Sequence, residues 1–397
     1  SEEQIALAPG KLLNYWSEGS RNYFVYESDA PILNLFNIMS AKLKVKSAVH
    51  NGIDISVYYH HQHKWNVDRM LASSMDAVDF FSATFGPYQH KQLRIIEFPG
   101  YRSFAQSFAS TIPYSERMGF ISDLRNTEKI DPVYYITAHE VAHQWFGHQL
   151  TPANVQGSQV ITETLSQYAA LQLMQQQFGE DKVQQLLRYE LDAYLKGRAK
   201  ERFKEMPLIR SENQDYIHYR KGAIIMMAVG NRIGFNALNE AINALLEKYR
   251  FSQGRLATTL DLLNAIKEAS PVEHHSFIDE QFTQINLFNI AVLDHNIQNQ
   301  QLIVNIHVEK LAVSGKGEES QRAFDDWVEI VIFDEDPNDF AKNQRILYRE
   351  KHKLINGSNT VNIDIGAIEA EISYLGVDPF IHYIDRDISN NIINLRK

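Results

Sequence analysis

The run His139-Glu140-Val141-Ala142-His143 restricts the fold more than any other feature of the chain. Two histidines four residues apart face one point only if the backbone between them is helical, because one α-turn returns i and i+4 to the same face. On such a helix both imidazoles reach one metal ion, and Glu140 is left facing water at that ion. Tyr134, Tyr135, Ile136, Ala138, Val141, Ala142, Trp145 and Phe146 surround the motif with apolar groups that keep it dry. None of the 397 residues is cysteine, so thiolate sites, iron–sulfur clusters and disulfides are excluded, and a metal must rest on histidine and carboxylate.

A catalytic zinc ion takes three protein ligands and keeps a fourth position open. Glu163 is the candidate third ligand, in a stretch from Val160 to Ala170 that reads as a helix returning after a loop with Pro152 and Gly157. Other histidines read as structural or superficial. His60-His61-Gln62-His63 stands at a strand end with no carboxylate at useful spacing, and His148, five residues past His143, is turned off the ligand face. His274-His275 receives the same reading.

The stretch H-E-V-A-H-Q-W-F-G-H-Q-L, His139 to Leu150, resembles the zinc aminopeptidase family of aminopeptidase N and leukotriene hydrolase, gluzincins with the signature H-E-x-x-H-x-W-F-G. The resemblance implies a thermolysin-like catalytic domain and one zinc ion on His139, His143 and Glu163. Nineteen residues separate His143 from Glu163, one more than in the family pattern, and the extra residue is assigned to the 151–159 loop. Tyr219-Arg220-Lys221-Gly222-Ala223 resembles the family's Y-x-K-G-A, whose tyrosine steadies the oxyanion; Tyr216 is the neighbour most easily confused with it. Pro113-Tyr114-Ser115-Glu116-Arg117 stands where the family has G-A-M-E-N. By resemblance Glu116 holds the free α-amino group of the substrate, although Pro113 offers no backbone N–H and Tyr114 and Ser115 depart from the usual small residues.

The rest of the chain reads as an α+β protein in two domains. Residues 1–285 form the catalytic domain: strands such as Ile53–Tyr59, a helix from about Asn66 to Phe85 stopped by Gly86-Pro87, and a mainly helical block from Tyr134 in which Thr258 and Asp261 make a capping box. From 286 to 397 the runs Leu302–Val308, Trp327–Phe333, Val361–Ile365 and Ile372–Leu375 alternate or are apolar between turn residues, the pattern of a β-sandwich.

A net charge of −10 with no basic run excludes an electrostatic nucleic-acid binder. No apolar stretch reaches the roughly 18 residues that a membrane helix needs. The tracts Tyr114-Ser115-Glu116, Phe98–Phe104 and Ile384–Asp387 resemble the family subgroup fused to ABC-type permease segments. That likeness implies a soluble domain, excised here and tethered to a membrane in the full-length protein, with the side of the membrane open. The expected activity is hydrolysis of amino-terminal residues from peptides with a free amino terminus, with Glu140 as general base and Tyr219 as oxyanion donor. The alternative is a peptide-binding accessory domain of a membrane transporter with weak or no turnover. An epoxide hydrolase with the same zinc site is a third reading that no residue selects.

Overall fold

In the computed structural model, which describes residues 1, 3–126, 128–340 and 344–396, Gly86 ends the first long helix as the sequence predicts. Helix α1 runs Val67–Phe85 and buries Met70, Leu71, Ala77, Val78, Phe81 and Phe85 on one face. It stops at Gly86, whose φ of 93° is left-handed backbone that favours glycine. Asn66 does not cap the helix with its side chain; its Nδ2 instead donates to the carbonyls of Gly119 and Ser122 at 2.6 and 2.9 Å.

The chain divides into two compact units, Ser1–Phe178 with Asn239–Ala265, and Gly179–Leu238 with Ile266–Lys397. The first carries β1 (Ile5–Leu7) paired with β4 (Met39–Ala41), a hairpin of β2 (Lys11–Glu18) and β3 (Arg21–Glu27), and a four-stranded sheet. In that sheet β5 (Lys44–His50) is antiparallel to β6 (Ile53–Tyr59), while β7 (Gln92–Phe98) lies parallel between β6 and β8 (Thr111–Ser115). The parallel pair β6 and β7 needs a crossover, and α1 supplies it. All seven residues of β7 are buried, as expected of a central strand covered on both faces. Pro113 sits on β8, the last strand of the sheet, where a missing N–H is best tolerated.

Helix α2 (Pro132–Ala142) begins with an Asp131 cap, whose carboxylate accepts the Tyr134 N–H at 2.9 Å, and with proline at the first turn. Nine of its eleven residues are buried, so it shows no polar face. It packs against α1 and against α3 (Leu165–Phe178). The second unit contains α4 (Glu180–Arg198) and α5 (Gly222–Ile233). Helix α6 (Phe235–Tyr249) and helix α7 (Thr259–Glu268) belong mostly to the first unit, and α8 (His275–Thr283) to the second. The capping box is present at α7: Thr258 N–H donates to Asp261 Oδ2 at 2.9 Å and Asp261 N–H to Thr258 Oγ1 at 3.3 Å.

The β-rich part begins at β9 (Asn286–Gln298) and continues through β10 (Gln301–Val313), β11 (Glu319–Arg322), β12 (Asp325–Phe333), β13 (Ile346–Ile355), β14 (Gly357–Asp364), β15 (Tyr374–Val377) and β16 (Ile392–Asn394). Strands β9, β10, β11 and β14 form one antiparallel sheet and β12, β13, β15 and β16 another. Leu302, Val304, Ile306 and Val308 of the first share a core with Val328, Ile330, Ile332 and Leu375 of the second. The two sheets therefore face each other as a sandwich, the β part of the α+β architecture.

Candidate metal centre

The motif helix is held by the two aromatic residues that follow it. Trp145 packs edge-on against Phe81 at 5.6 Å and donates its indole N–H to the Gly86 carbonyl at 2.7 Å, and Phe146 packs edge-on against Phe85 at 5.1 Å. These contacts tie the end of α2 to the end of α1 and fix the direction of the histidines.

His139 Nε2 and His143 Nε2 lie 3.0 Å apart, and Glu163 Oε2 lies 3.4 and 3.3 Å from them. With zinc–nitrogen and zinc–oxygen distances of about 2.0–2.1 Å, tetrahedral ligand atoms stand about 3.3 Å apart. The observed triangle matches that edge length, and three lone-pair atoms converging away from solvent suit a cation. His143 Nδ1 lies 3.0 Å from the Phe146 carbonyl, which only accepts, so Nδ1 carries a proton and Nε2 is the nitrogen left for a metal. Ser166 Oγ reaches the same Nδ1 at 3.1 Å. Nothing in the motif announces Ser166; its place one turn beyond Glu163 is the only signal.

Glu163 does not open an ordinary helix. It sits in a π-turn, Val160–Thr164, that leads into α3. A π-turn takes up one residue more than an α-turn, so the additional residue between His143 and Glu163 need not lengthen the 151–159 loop. Burial opposes ionisation of Glu163, but the charges of His143 and His139 and their hydrogen bonds outweigh it and hold the carboxyl well below its ordinary range. Burial also works against a charged His143, yet Glu163 and Glu140 raise it to about 9.

Glu140 is buried beside the triad. Burial pushes its carboxyl up, the two imidazoles pull it back, and Glu163 adds to the rise. Its Oε2 is buried and makes no hydrogen bond to a described residue. His139, His143 and Glu163 thus form a group of the kind that holds a metal ion, with the buried Glu140 next to it. His148 stays outside it, its Nε2 donating to the Ser107 carbonyl at 3.2 Å.

Glu116 lies in the same unit, just beyond β8. Its Oε1 accepts the Gly100 N–H at 2.8 Å, and its Oε2 is 3.9 Å from His63 Nδ1. The His60–His63 turn is therefore not the bare surface loop that its sequence suggests. Glu97, 34 residues on, hydrogen-bonds His63 Nδ1 and accepts the His60 N–H at 2.6 Å. The missing carboxylate comes from a neighbouring strand, which spacing along the chain does not reveal.

Tyr219 lies in the second unit, half-buried in another π-turn, Tyr216–Lys221, that leads into α5. Tyr216 has its hydroxyl committed: it donates to Glu201 Oε2 at 3.0 Å. The structure brings together His139, Glu140, His143 and Glu163 within the first unit.

Residues 69–282 match the domain of peptidase family M1. Among curated proteins the chain is 26% identical over 200 residues to a probable aminopeptidase 1 of Sulfurisphaera tokodaii, and 25% identical over 229 residues to aminopeptidase M1-A of Oryza sativa. These matches take in 48% and 54% of this chain but only 25% of each relative. In fold it is similar to the crystal structure of Legionella pneumophila aminopeptidase A in complex with aspartic acid, with a TM-score of 0.63 at 16% identity. That likeness covers 96% of this chain and 43% of the other.

Proposed function

We infer the function from one premise: the chain belongs to peptidase family M1, a family that is zinc-dependent in general. The reading is a zinc aminopeptidase that removes amino-terminal residues from peptides with a free amino terminus. The observation that carries it is the convergence of His139, His143 and Glu163 within 4.8 Å, with buried Glu140 beside them. In this reading residues 1–285 are the peptidase region, consistent with the matched span, and 286–397 an appended β domain.

His139, His143 and Glu163 hold the zinc ion, which when bound supplies Lewis acidity at the scissile carbonyl and makes water there a stronger acid. Glu140 takes a proton from the attacking water and returns it to the leaving amine nitrogen. Its raised affinity for protons suits both halves of that task. Tyr219 donates its hydroxyl to the developing oxyanion, a role assigned by its place at the head of the Tyr219-Arg220-Lys221-Gly222-Ala223 run. Glu116 keeps one carboxylate oxygen on the Gly100 N–H and offers the other to the substrate amine.

The intact set of His139, Glu140, His143, Glu163 and Tyr219 weighs against a transporter accessory without turnover. Attachment to permease segments is part of the same proposal; among the described residues no helix is long and apolar enough to cross a membrane. The test compares aminoacyl reporter amides with their N-acetylated forms, with zinc and after chelation. Zinc-dependent release from free but not blocked substrates is expected. Equal cleavage of blocked substrates would remove the amine role of Glu116, and no release from any would leave the accessory reading.

A further inference from the structure

We propose that His63, Glu97 and Glu116 form a second binding site for a divalent transition-metal ion, separate from the motif site. His63 Nδ1, Glu97 and Glu116 each present one ligand atom, and these atoms lie within 4.8 Å of one another. Each carboxylate is already aimed. Glu97 uses Oε2 on the His60 N–H at 2.6 Å and turns Oε1 to His63; Glu116 uses Oε1 on the Gly100 N–H at 2.8 Å and turns Oε2 the same way. Two backbone donors therefore hold two carboxylates around one imidazole, the preorganisation that a metal site requires.

The charges favour an ion. Glu97 has a side chain only 4% exposed, on a strand buried at every position. A proton on His63 neutralises one of two facing carboxylates, whereas a divalent cation neutralises both. A further donor stands close: His60 Nδ1 is buried without a hydrogen bond to a described residue, and its ring centroid is 4.8 Å from that of His63. One or two imidazoles with two carboxylates suit zinc, cobalt or nickel better than the all-oxygen preference of calcium or magnesium. His63 and Glu116, with side chains 21% and 26% exposed, leave a way in for the ion and for water ligands. An ion there competes with a substrate amine for Glu116 Oε2, a consequence that rests on the reading of Glu116 given above.

The test counts ions without any substrate. Chelated protein is equilibrated with zinc, washed, and its metal content measured, with cobalt absorption as a second probe. The wild type is expected to hold two ions per chain, and His63→Ala, Glu97→Gln and Glu163→Ala one each. The ion left in His63→Ala also reports that the variant is folded. One ion in the wild type, unchanged in His63→Ala, overturns the proposal. So does a second ion that survives Glu97→Gln, since exposed histidines alone would then be holding it. If Glu163→Ala keeps both ions while His63→Ala loses one, the motif-site reading falls and this one stands.

Discussion

The Nε2 atoms of His139 and His143 meet at 3.0 Å with their rings at 90°. Both nitrogens are aimed at one spot, and Glu163 Oε2 closes the triangle. Without a metal ion a proton on His143, held by Glu163, keeps these groups together out of water; with one, the same three atoms become a ligand set. Glu163→Ala is expected to weaken zinc binding at this site by more than the roughly 10- to 100-fold typical of outer-shell losses. A competition titration against a chromophoric chelator measures it, and an unchanged affinity would remove Glu163 from the ligands.

Glu140 contributes no ligand atom, so its loss should separate chemistry from metal binding. Glu140→Gln preserves shape and removes the base. Turnover of an aminoacyl amide is expected to fall by about 10²- to 10⁴-fold while zinc is retained. Metal analysis and steady-state kinetics on the same preparation decide the matter; a fall in both would make the residue structural.

Tyr219 is argued from its motif. Tyr219→Phe removes only the hydroxyl and is expected to lower kcat by about 10²- to 10³-fold with little change in KM. Tyr216→Phe, which breaks the bond to Glu201, serves as the control and should leave kcat within a few-fold of the wild type. The reverse result would exchange the two assignments.

Ser166 and the Phe146 carbonyl both meet His143 Nδ1. Ser166→Ala leaves the carbonyl in place, so the tautomer survives and only part of the restraint on the ring is lost. Zinc affinity should fall by up to about tenfold. Isothermal titration of the chelated variant measures the change, and a loss as large as that of Glu163→Ala would mean that the serine does more than orient the ring.

What the sequence discloses about this chain follows from how local each signal is. The motif helix, Gly86 as a stop, the Thr258–Asp261 box and the strands Ile53–Tyr59 and Leu302–Val308 depend on residues within a turn or two of one another. His139, Glu140 and His143 share that property. Glu97 does not: it faces His63 only because β7 lies beside β6 in register, and no spacing along the chain encodes that neighbour. The π-turns at Glu163 and Tyr219 are hidden for a different reason. An α-turn and a π-turn carry the same apolar pattern over five residues, and the choice between them is made by packing.

Stability offers a test in the second unit that is independent of the metal. Glu190 on α4 has a fully buried side chain, and Arg220 Nη1 donates to its two carboxylate oxygens at 3.2 and 2.9 Å. Burial pushes the Glu190 carboxyl up to about 7 from an ordinary 4.5, against the pull of Arg220. Between those values the folded chain keeps a proton that the unfolded chain has released. The stabilisation from this group is therefore full below pH 4.5 and is lost as pH rises through 7, with an upper bound of about 3 kcal/mol. Glu190→Gln does not titrate. Its stability relative to the wild type should rise between pH 5 and pH 8 in denaturant unfolding, and a constant difference across that range would show that Glu190 is already ionised in the folded chain at pH 5.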